Sequence, residues 1–223
     1  MENKDLLTRR VQQILPTKEG LEAIMAKRKI RLYMGFDPSK PNLHIGHLVG
    51  LLQLKAFQDA GHEVIFLIGD FTGMIGDPTD KGATRPKLTH EEVLKNAKTY
   101  KEQAGKFLRF TGDNPVKIMF NYDWNSKLNF PDVLDLASNL TVQQLIERDM
   151  FQVRIKEGKP IHLHEFLYPV AQGYDSVAMD VDLEIGGSDQ TFNMLAGRTL
   201  MKAMKGKEKF IMTTPLLTDA KGV

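Results

Sequence analysis

The stretch Tyr33-Met34-Gly35-Phe36-Asp37-Pro38-Ser39-Lys40-Pro41-Asn42-Leu43-His44-Ile45-Gly46-His47 constrains the fold of this chain more than any other. Ile30 to Phe36 alternates apolar with small or polar residues, as a short buried strand does. Pro38 and Pro41 stop that strand, and an apolar helical pattern starts near Ile45. The turn therefore delivers two histidines to a helix N-terminus. At spacing i, i+3, His44 and His47 share one face of the first turn, where unpaired backbone N–H groups and the helix dipole favour a phosphate. Gly46 between them removes a side chain, so a flat ring could approach the backbone. Taken alone, His-x-Gly-His fits chance or packing as well as it fits a ligand site.

Periodicity orders the rest of the chain. Asn3 to Leu15 carries Leu6, Leu7, Val11, Ile14 and Leu15 at helical spacing, and Pro16 ends it. A second helix starts at the Thr17 cap and runs to Lys27-Arg28-Lys29, a charge cluster that suits a solvated helix end. The helix after the histidines ends at Gly61, and Val64 to Ile68 is the continuous apolar run of a strand covered on both faces. Gly69-Asp70-Phe71-Thr72-Gly73-Met74-Ile75-Gly76-Asp77-Pro78 follows that strand, in the position where open α/β sheets bind ligands. Its glycines match neither G-x-G-x-x-G nor a Walker loop, which disfavours a dinucleotide cofactor or a P-loop. Thr89 and Glu92 form a capping box before a helix reaching about Phe107, and Val116 to Phe120 is a further strand. Trp124 to Pro160 reads as mostly helical, with more apolar surface between Phe130 and Ile146 than two short helices need internally. His162 and His164 alternate in a stretch read as extended, with Glu165 nearby, but a third metal ligand of matching spacing is missing.

Glu165 to Met179 reads as a helix with Tyr168, Gln172 and Asp175 at i, i+4 and i+7 along one face. Burying a carboxylate and an amide costs several kcal/mol unless they are paired, so this face needs a partner, which is either a protein network or a ligand. Beyond the strand Val181 to Ile185, Gly186-Gly187-Ser188-Asp189-Gln190 is another glycine turn opening a helix, Thr191 to Lys202, with Ser188 or Asp189 as its N-cap. Phe210 to Thr213 is the last strand.

Strand, proline turn, His-Ile-Gly-His and helix together resemble the first signature of the class I aminoacyl-tRNA synthetases. Over Tyr33 to Asp80, and again over Tyr168 to Gln190, the chain resembles the bacterial tyrosyl-tRNA synthetases. The resemblance implies an α/β Rossmann-like nucleotide-binding fold with a parallel sheet and a helical insertion at about 125–160, which the family uses for its homodimer interface. It implies that Gly35, Asp37, His44, Gly46, His47, Gly187 and Asp189 bind ATP, with Asp189 on the ribose and Lys81 and Arg85 near the pyrophosphate. Ser39, His44 and His47 would act on the phosphates, and Gln190 would sit near the tyrosyl carboxylate and reacting centre. Tyr33 and Asp175 would read the phenol hydroxyl of L-tyrosine, while Tyr168, Gln172 and Asp77 would hold its ammonium. The implied partners are L-tyrosine, ATP with Mg2+, tRNA(Tyr) and a second copy of the chain. The family's second signature, Lys-Met-Ser-Lys-Ser, belongs beyond Val223, so residues 1–223 are expected to be a catalytic domain without the C-terminal tRNA-binding part.

Two rivals remain at this point: another nucleotidyltransferase that uses a His-x-Gly-His helix start, and a non-catalytic amino-acid- or RNA-binding relative. The tryptophan enzymes share the signature but are not expected to pair a tyrosine with an aspartate in the pocket. Composition narrows the classes further. The absence of cysteine rules out disulfides, thiol nucleophiles and cysteine-ligated zinc within this chain. A formal charge of +2 gives no broad positive field for nucleic acid, so a tRNA surface would be local. No uncharged apolar run reaches membrane-spanning length, and a cytoplasmic location is the default expectation.

Overall fold

The computed structural model describes residues 3–78 and 88–217. In chain order the strands are β1 (Gln13–Leu15), β2 (Arg31–Phe36), β3 (Glu63–Ile68), β4 (Lys117–Phe120), β5 (Leu183–Gly187) and β6 (Phe210–Thr214). The helices are α1 (Asn3–Leu6), α2 (Lys18–Lys27), α3 (Ile45–Asp59), α4 (Thr72–Ile75), α5 (His90–Ala97), α6 (Tyr100–Ala104), α7 (Tyr122–Asn125), α8 (Phe130–Ala137), α9 (Val142–Ile146), α10 (Asp149–Lys156), α11 (Leu163–Met179) and α12 (Thr191–Lys205). The six strands form one sheet in the order β1-β6-β5-β2-β3-β4. All neighbours are parallel except β1 and β6. This is the expected α/β fold with a mostly parallel sheet, and four short helices, α7 to α10, followed by the long α11, lie between β4 and β5.

Helices cover both faces of the sheet, which is why β3 is apolar without alternation. On one face Leu32, Phe36, Phe66 and Ile68 pack with Leu51, Leu54 and Phe57 of α3. Phe36 stacks on Phe66 at 4.2 Å between ring centroids. On the other face Tyr33, Ile65 and Leu67 meet Met179 and Val181. Burying each such side chain contributes about 2 kcal/mol. Helices α11 and α12 cross closely because a Cβ at Gly173 would lie 3.1 Å from the backbone nitrogen of Gly197.

Several expected elements change once the chain folds. The N-terminal helix stops at Leu6, Arg10 turns the backbone at φ 62°, and Gln13–Leu15 pairs antiparallel with Thr213, Met212 and Ile211. An open sheet edge supplied backbone partners that a lone helix could not match. The helix expected from Thr89 to Phe107 breaks into α5 and α6, and side chains around the break clamp the loop after β2. Thr99 Oγ1 donates to the Pro41 carbonyl at 2.6 Å, Tyr100 Oη to the Lys40 carbonyl at 2.8 Å, and Gln103 Oε1 accepts from the Leu43 N–H at 2.9 Å. The basic cluster is not simply solvated. Arg28 makes a bidentate pair with Asp182 at 2.8 and 2.7 Å, and Lys29 donates to the Ala60 carbonyl at 2.6 Å. Among the described residues, no helix is long and apolar enough to cross a membrane.

Candidate active site

Strands β2 and β5 are neighbours, and from them the chain winds outward in opposite directions, to β3 and β4 on one side and to β6 on the other. The crevice at their carboxyl ends is where such sheets bind ligands. The turn from β2 to α3, the loop after β3, the turn after β4 and the Gly186–Gln190 turn all converge there.

At the start of α3, His44 and His47 stack with ring centroids 3.7 Å apart. A Cβ at Gly46 would lie 3.0 Å from Cε1 and Nδ1 of His44, so the space that glycine leaves is occupied by the neighbouring imidazole. The His44 backbone N–H donates to Nδ1 of His47 at 3.1 Å, which assigns the proton of the neutral His47 ring to Nε2. Burial, together with the adjacent His44, lowers the His47 pKa to about 4. His47 is thus a neutral N–H donor at a helix N-terminus, and His44 is exposed beside it. Ser39 lies in the turn between β2 and α3, its N–H bonded to the Asp37 carbonyl at 2.8 Å.

The polar face of α11 is hydrogen bonded except at the amide oxygen of Gln172, which is buried without a partner among the described residues. Tyr168 donates its hydroxyl to Asp37 at 2.8 Å, and the second oxygen of Asp37 accepts from Thr72 Oγ1 at 2.7 Å. A Cβ at Gly69 would collide with this Asp37 carboxylate. Burial raises the Tyr168 pKa well above its ordinary value, and the charges of Asp37 and Asp77 add to the effect. Gln172 donates to Glu184 at 3.1 Å. Asp175 is 1% exposed and accepts from Asn121 at 3.1 Å, Trp124 Nε1 at 2.8 Å and Asn125 at 3.0 Å. Burial pushes its carboxyl up to about 8, opposed by those three donors and reinforced by the charge of Glu184.

Tyr33 departs from expectation. Its hydroxyl lies 3.0 Å from Ser176 Oγ, and Asp175 turns to the residues that follow β4. After β5, a 3-10 turn over Ser188–Gln190 precedes α12, so neither Ser188 nor Asp189 is the helix N-cap; that position is Gln190. Gln190 donates to Asp77 at 2.7 Å and to Asp189 at 3.2 Å, and its oxygen accepts from Asn193 at 3.0 Å. The Asp77 and Gln190 assignments, made from separate stretches, therefore meet. A Cβ at Gly187 would collide with the Asp189 carboxylate. Gly35 is an exposed position of β2. Lys81 and Arg85 lie outside the described residues.

His162 and His164 are not in an extended stretch. His162 is the N-cap of α11, with its N–H donating to Glu165 at 2.8 Å, and His164 lies in the first turn. Their rings stack at 5.8 Å, and Glu165 pairs with Arg154. Among the described residues no cluster of His, Asp or Glu is arranged to hold a metal ion.

Sequence reasoning missed Asn121, Trp124 and Asn125 around Asp175, Thr72 behind Asp37, Ser176 opposite Tyr33, and the buried pair Glu184 and Lys209. The first three had a signal: Asn-Tyr-Asp-Trp-Asn directly after an apolar strand puts amides and an indole N–H at a strand's carboxyl end.

The family described as tRNA synthetases class I (W and Y) matches residues 25–223. The chain is 49% identical over 216 residues to a tyrosine–tRNA ligase 2 of Vibrio cholerae, covering 97% of this chain and 54% of that protein. It is 47% identical over 221 residues to a tyrosine–tRNA ligase of Thermotoga maritima, covering 99% and 54%. The chain thus spans about half the length of the curated relatives it matches. Among solved structures, a C-terminally truncated mitochondrial tyrosyl-tRNA synthetase of Coccidioides posadasii superposes with TM-score 0.82 at 26% identity, over 98% of this chain and 68% of that one.

Proposed function

The chain belongs to the class I tRNA synthetases of the tryptophan and tyrosine group, and from that premise we propose that it activates L-tyrosine with ATP and passes the tyrosyl group to tRNA(Tyr). A carboxylate oxygen of tyrosine attacks the α-phosphorus, the bond to the β-phosphate bridging oxygen breaks, and tyrosyl-adenylate forms as pyrophosphate leaves. The protein needs no covalent intermediate; it positions the two substrates and stabilises charge as it develops. Nε2–H of His47, with His44 stacked on it and Ser39 in the preceding turn, donates to the phosphates, and Lys81 and Arg85, carried over by motif, neutralise the leaving pyrophosphate. Gly35, Asp37, Gly46, Gly187 and Asp189 form the nucleotide's bed, with Asp189 on the ribose. Magnesium bound to ATP would offset the charge of its phosphates. Tyr168, Gln172 and Asp77 take the substrate ammonium, Gln190 takes the carboxylate, and Tyr33 with Asp175 takes the phenol.

The observation that carries tyrosine over tryptophan is Asp175. It is a buried carboxyl group whose hydrogen-bond partners among the described residues are three neutral N–H groups and no cation, so it can still accept from a hydroxyl donor. Pyrophosphate exchange with this chain tests the reading. Exchange that depends on tyrosine and not on tryptophan or phenylalanine supports it, and exchange driven by tryptophan overturns it.

The same reading makes residues 1–223 a catalytic domain that works in the cytoplasm as a homodimer through the α7 to α10 insertion. Exposed Phe130, Leu134 and Val142 on that insertion support the dimer.

A further inference from the structure

Glu184 lies within β5 and is 2% exposed. Its register partner on β2 is Tyr33, so it faces α11, away from the core that takes Leu183 and Ile185. A carboxylate in the middle of a covered parallel strand breaks the apolar pattern the sheet requires and needs compensation. Lys209, fully buried, provides it. Its ammonium pairs with one Glu184 oxygen and also donates to the Met194 carbonyl at 3.1 Å. The crossing of α12 makes room for this lysine at Gly197, where a Cβ would fall 2.5 Å from Lys209 Nζ. A buried ion pair of this kind contributes little net stability compared with apolar residues of the same volume, so its effect has to be sought in what else it touches.

The other Glu184 oxygen accepts from Nε2 of Gln172 at 3.1 Å. A carboxylate held by a lysine can only accept, so the NH2 of Gln172 must face Glu184 and the amide oxygen must face the other way. That oxygen is buried and has no hydrogen-bond partner among the described residues. Tyr168, one turn earlier, is held the same way: its O–H is committed to Asp37, which leaves only lone pairs for a ligand.

We propose that Glu184 and Lys209 are positioning residues that lock the Gln172 amide with its oxygen toward the ligand, turning a side chain that could donate or accept into an obligate acceptor. Resting on the tyrosine-activating reading, this makes the ammonium of the substrate, and not merely its size, the feature recognised at this end of the pocket. Freed from Glu184, the amide would rotate and present either end.

The test is calorimetric binding of L-tyrosine, tyramine and 3-(4-hydroxyphenyl)propanoate, which lacks the ammonium, to this chain and its variants. Glu184→Gln is expected to weaken tyrosine and tyramine about tenfold, and the propanoate, which feels the change only through Tyr33 at the phenol end, about threefold or less. Retained propanoate affinity also reports an intact pocket. The double variant Gln172→Glu with Glu184→Gln reverses donor and acceptor across the same contact, and is expected to recover affinity for the two amines. Equal loss for all three ligands, no loss, or no recovery in the double variant overturns the positioning role alone. An unmodified chain that binds neither tyrosine nor tyramine overturns the functional reading together with it.

Discussion

The Tyr33 hydroxyl lies 3.0 Å from Oγ of Ser176, the residue after Asp175, while both oxygens of Asp175 accept from N–H groups that follow β4. Tyr33 and Asp175 are thus not bonded to each other, but they lie close enough for the Asp175 charge to help raise the Tyr33 pKa. A phenol hydroxyl entering there would find a carboxylate to donate to and a hydroxyl to accept from.

Removing either group has different consequences. Tyr33→Phe is expected to weaken tyrosine binding about tenfold, because one neutral hydrogen bond is lost, and to narrow the preference for tyrosine over phenylalanine. Asp175→Ala strands three buried donors at about 1–3 kcal/mol each, so it should lose stability along with tyrosine binding. Asp175→Asn keeps one acceptor oxygen for Trp124 and Asn125 but turns an NH2 toward Asn121, so it should melt between the unmodified chain and Asp175→Ala. Without the carboxylate it should narrow the preference for tyrosine over phenylalanine in calorimetry, and undiminished discrimination would count against the assignment.

The histidine pair should act on the rate and not on amino-acid affinity. Replacing His44 and His47 together with alanine is expected to slow adenylate formation about a hundredfold or more, since preorganised donors to developing charge are removed. Tyrosine affinity measured without ATP should stay within about twofold, because neither ring is hydrogen bonded to the α11 polar face. Comparable losses in both measurements would place the histidines in the wrong role.

Local chemistry made part of this arrangement readable in advance, and long-range pairing hid the rest. The β2 turn and the start of α3 were legible because prolines, a strand and a helix start lie within fifteen residues, and the i, i+4, i+7 face of α11 because a helix carries its own period. Nothing near Gln13 in sequence announces that Thr213 supplies its ladder partner, so a helix was the better local reading there. Nor does Thr99 announce that it clamps Pro41 and breaks its own helix. The Glu184 and Lys209 pair was invisible because each charge, read alone, belongs on a surface; only the β2–β5 register and the glycine at 197 bury them together.

Asp182 offers a stability test away from the site. Burial would raise its pKa, but hydrogen bonds from Arg28, the Arg31 N–H and Lys207 hold it down to about 2. Its folded value lies below the unfolded 3.8, so the stabilisation is present above about pH 4 and is lost as pH falls toward 2. Asp182→Asn should cost about 3 kcal/mol near pH 7 by thermal denaturation, with the gap to the unmodified chain closing in acid. His47 and His62, both lowered to about 4, weaken the fold in a different window, between their ordinary 6.5 and 4, and do so equally in both chains.

Light scattering at micromolar concentration checks the proposed dimer, with an expected mass about twice 25.2 kDa. Phe130→Asp, a change at a side chain 74% exposed, should give the monomer without lowering the melting temperature of the protomer. A monomeric unmodified chain at that concentration would remove the insertion from the interface.

The last prediction is a proton count. Asp175 is raised to about 8 in the folded chain against 3.8 when unfolded, so near pH 7 most molecules hold it protonated, and the stability it contributes in acid is lost as pH rises from about 4 to 8. A tyrosine hydroxyl that donates to Asp175 favours the carboxylate and so lowers that pKa on binding. Binding should therefore release a proton near pH 7, and tyrosine affinity should rise with pH until it levels off above about 8. Calorimetry in two buffers of different ionisation enthalpy reads the released proton directly, as a buffer-dependent heat. Phenylalanine, which has no hydroxyl to donate, should release none, and Asp175→Asn should abolish both the buffer dependence and the pH slope. Proton uptake on binding tyrosine, or an affinity that falls between pH 6 and 8, would mean that Asp175 meets the phenol as a donor and that the polarity assigned to this end of the pocket is reversed.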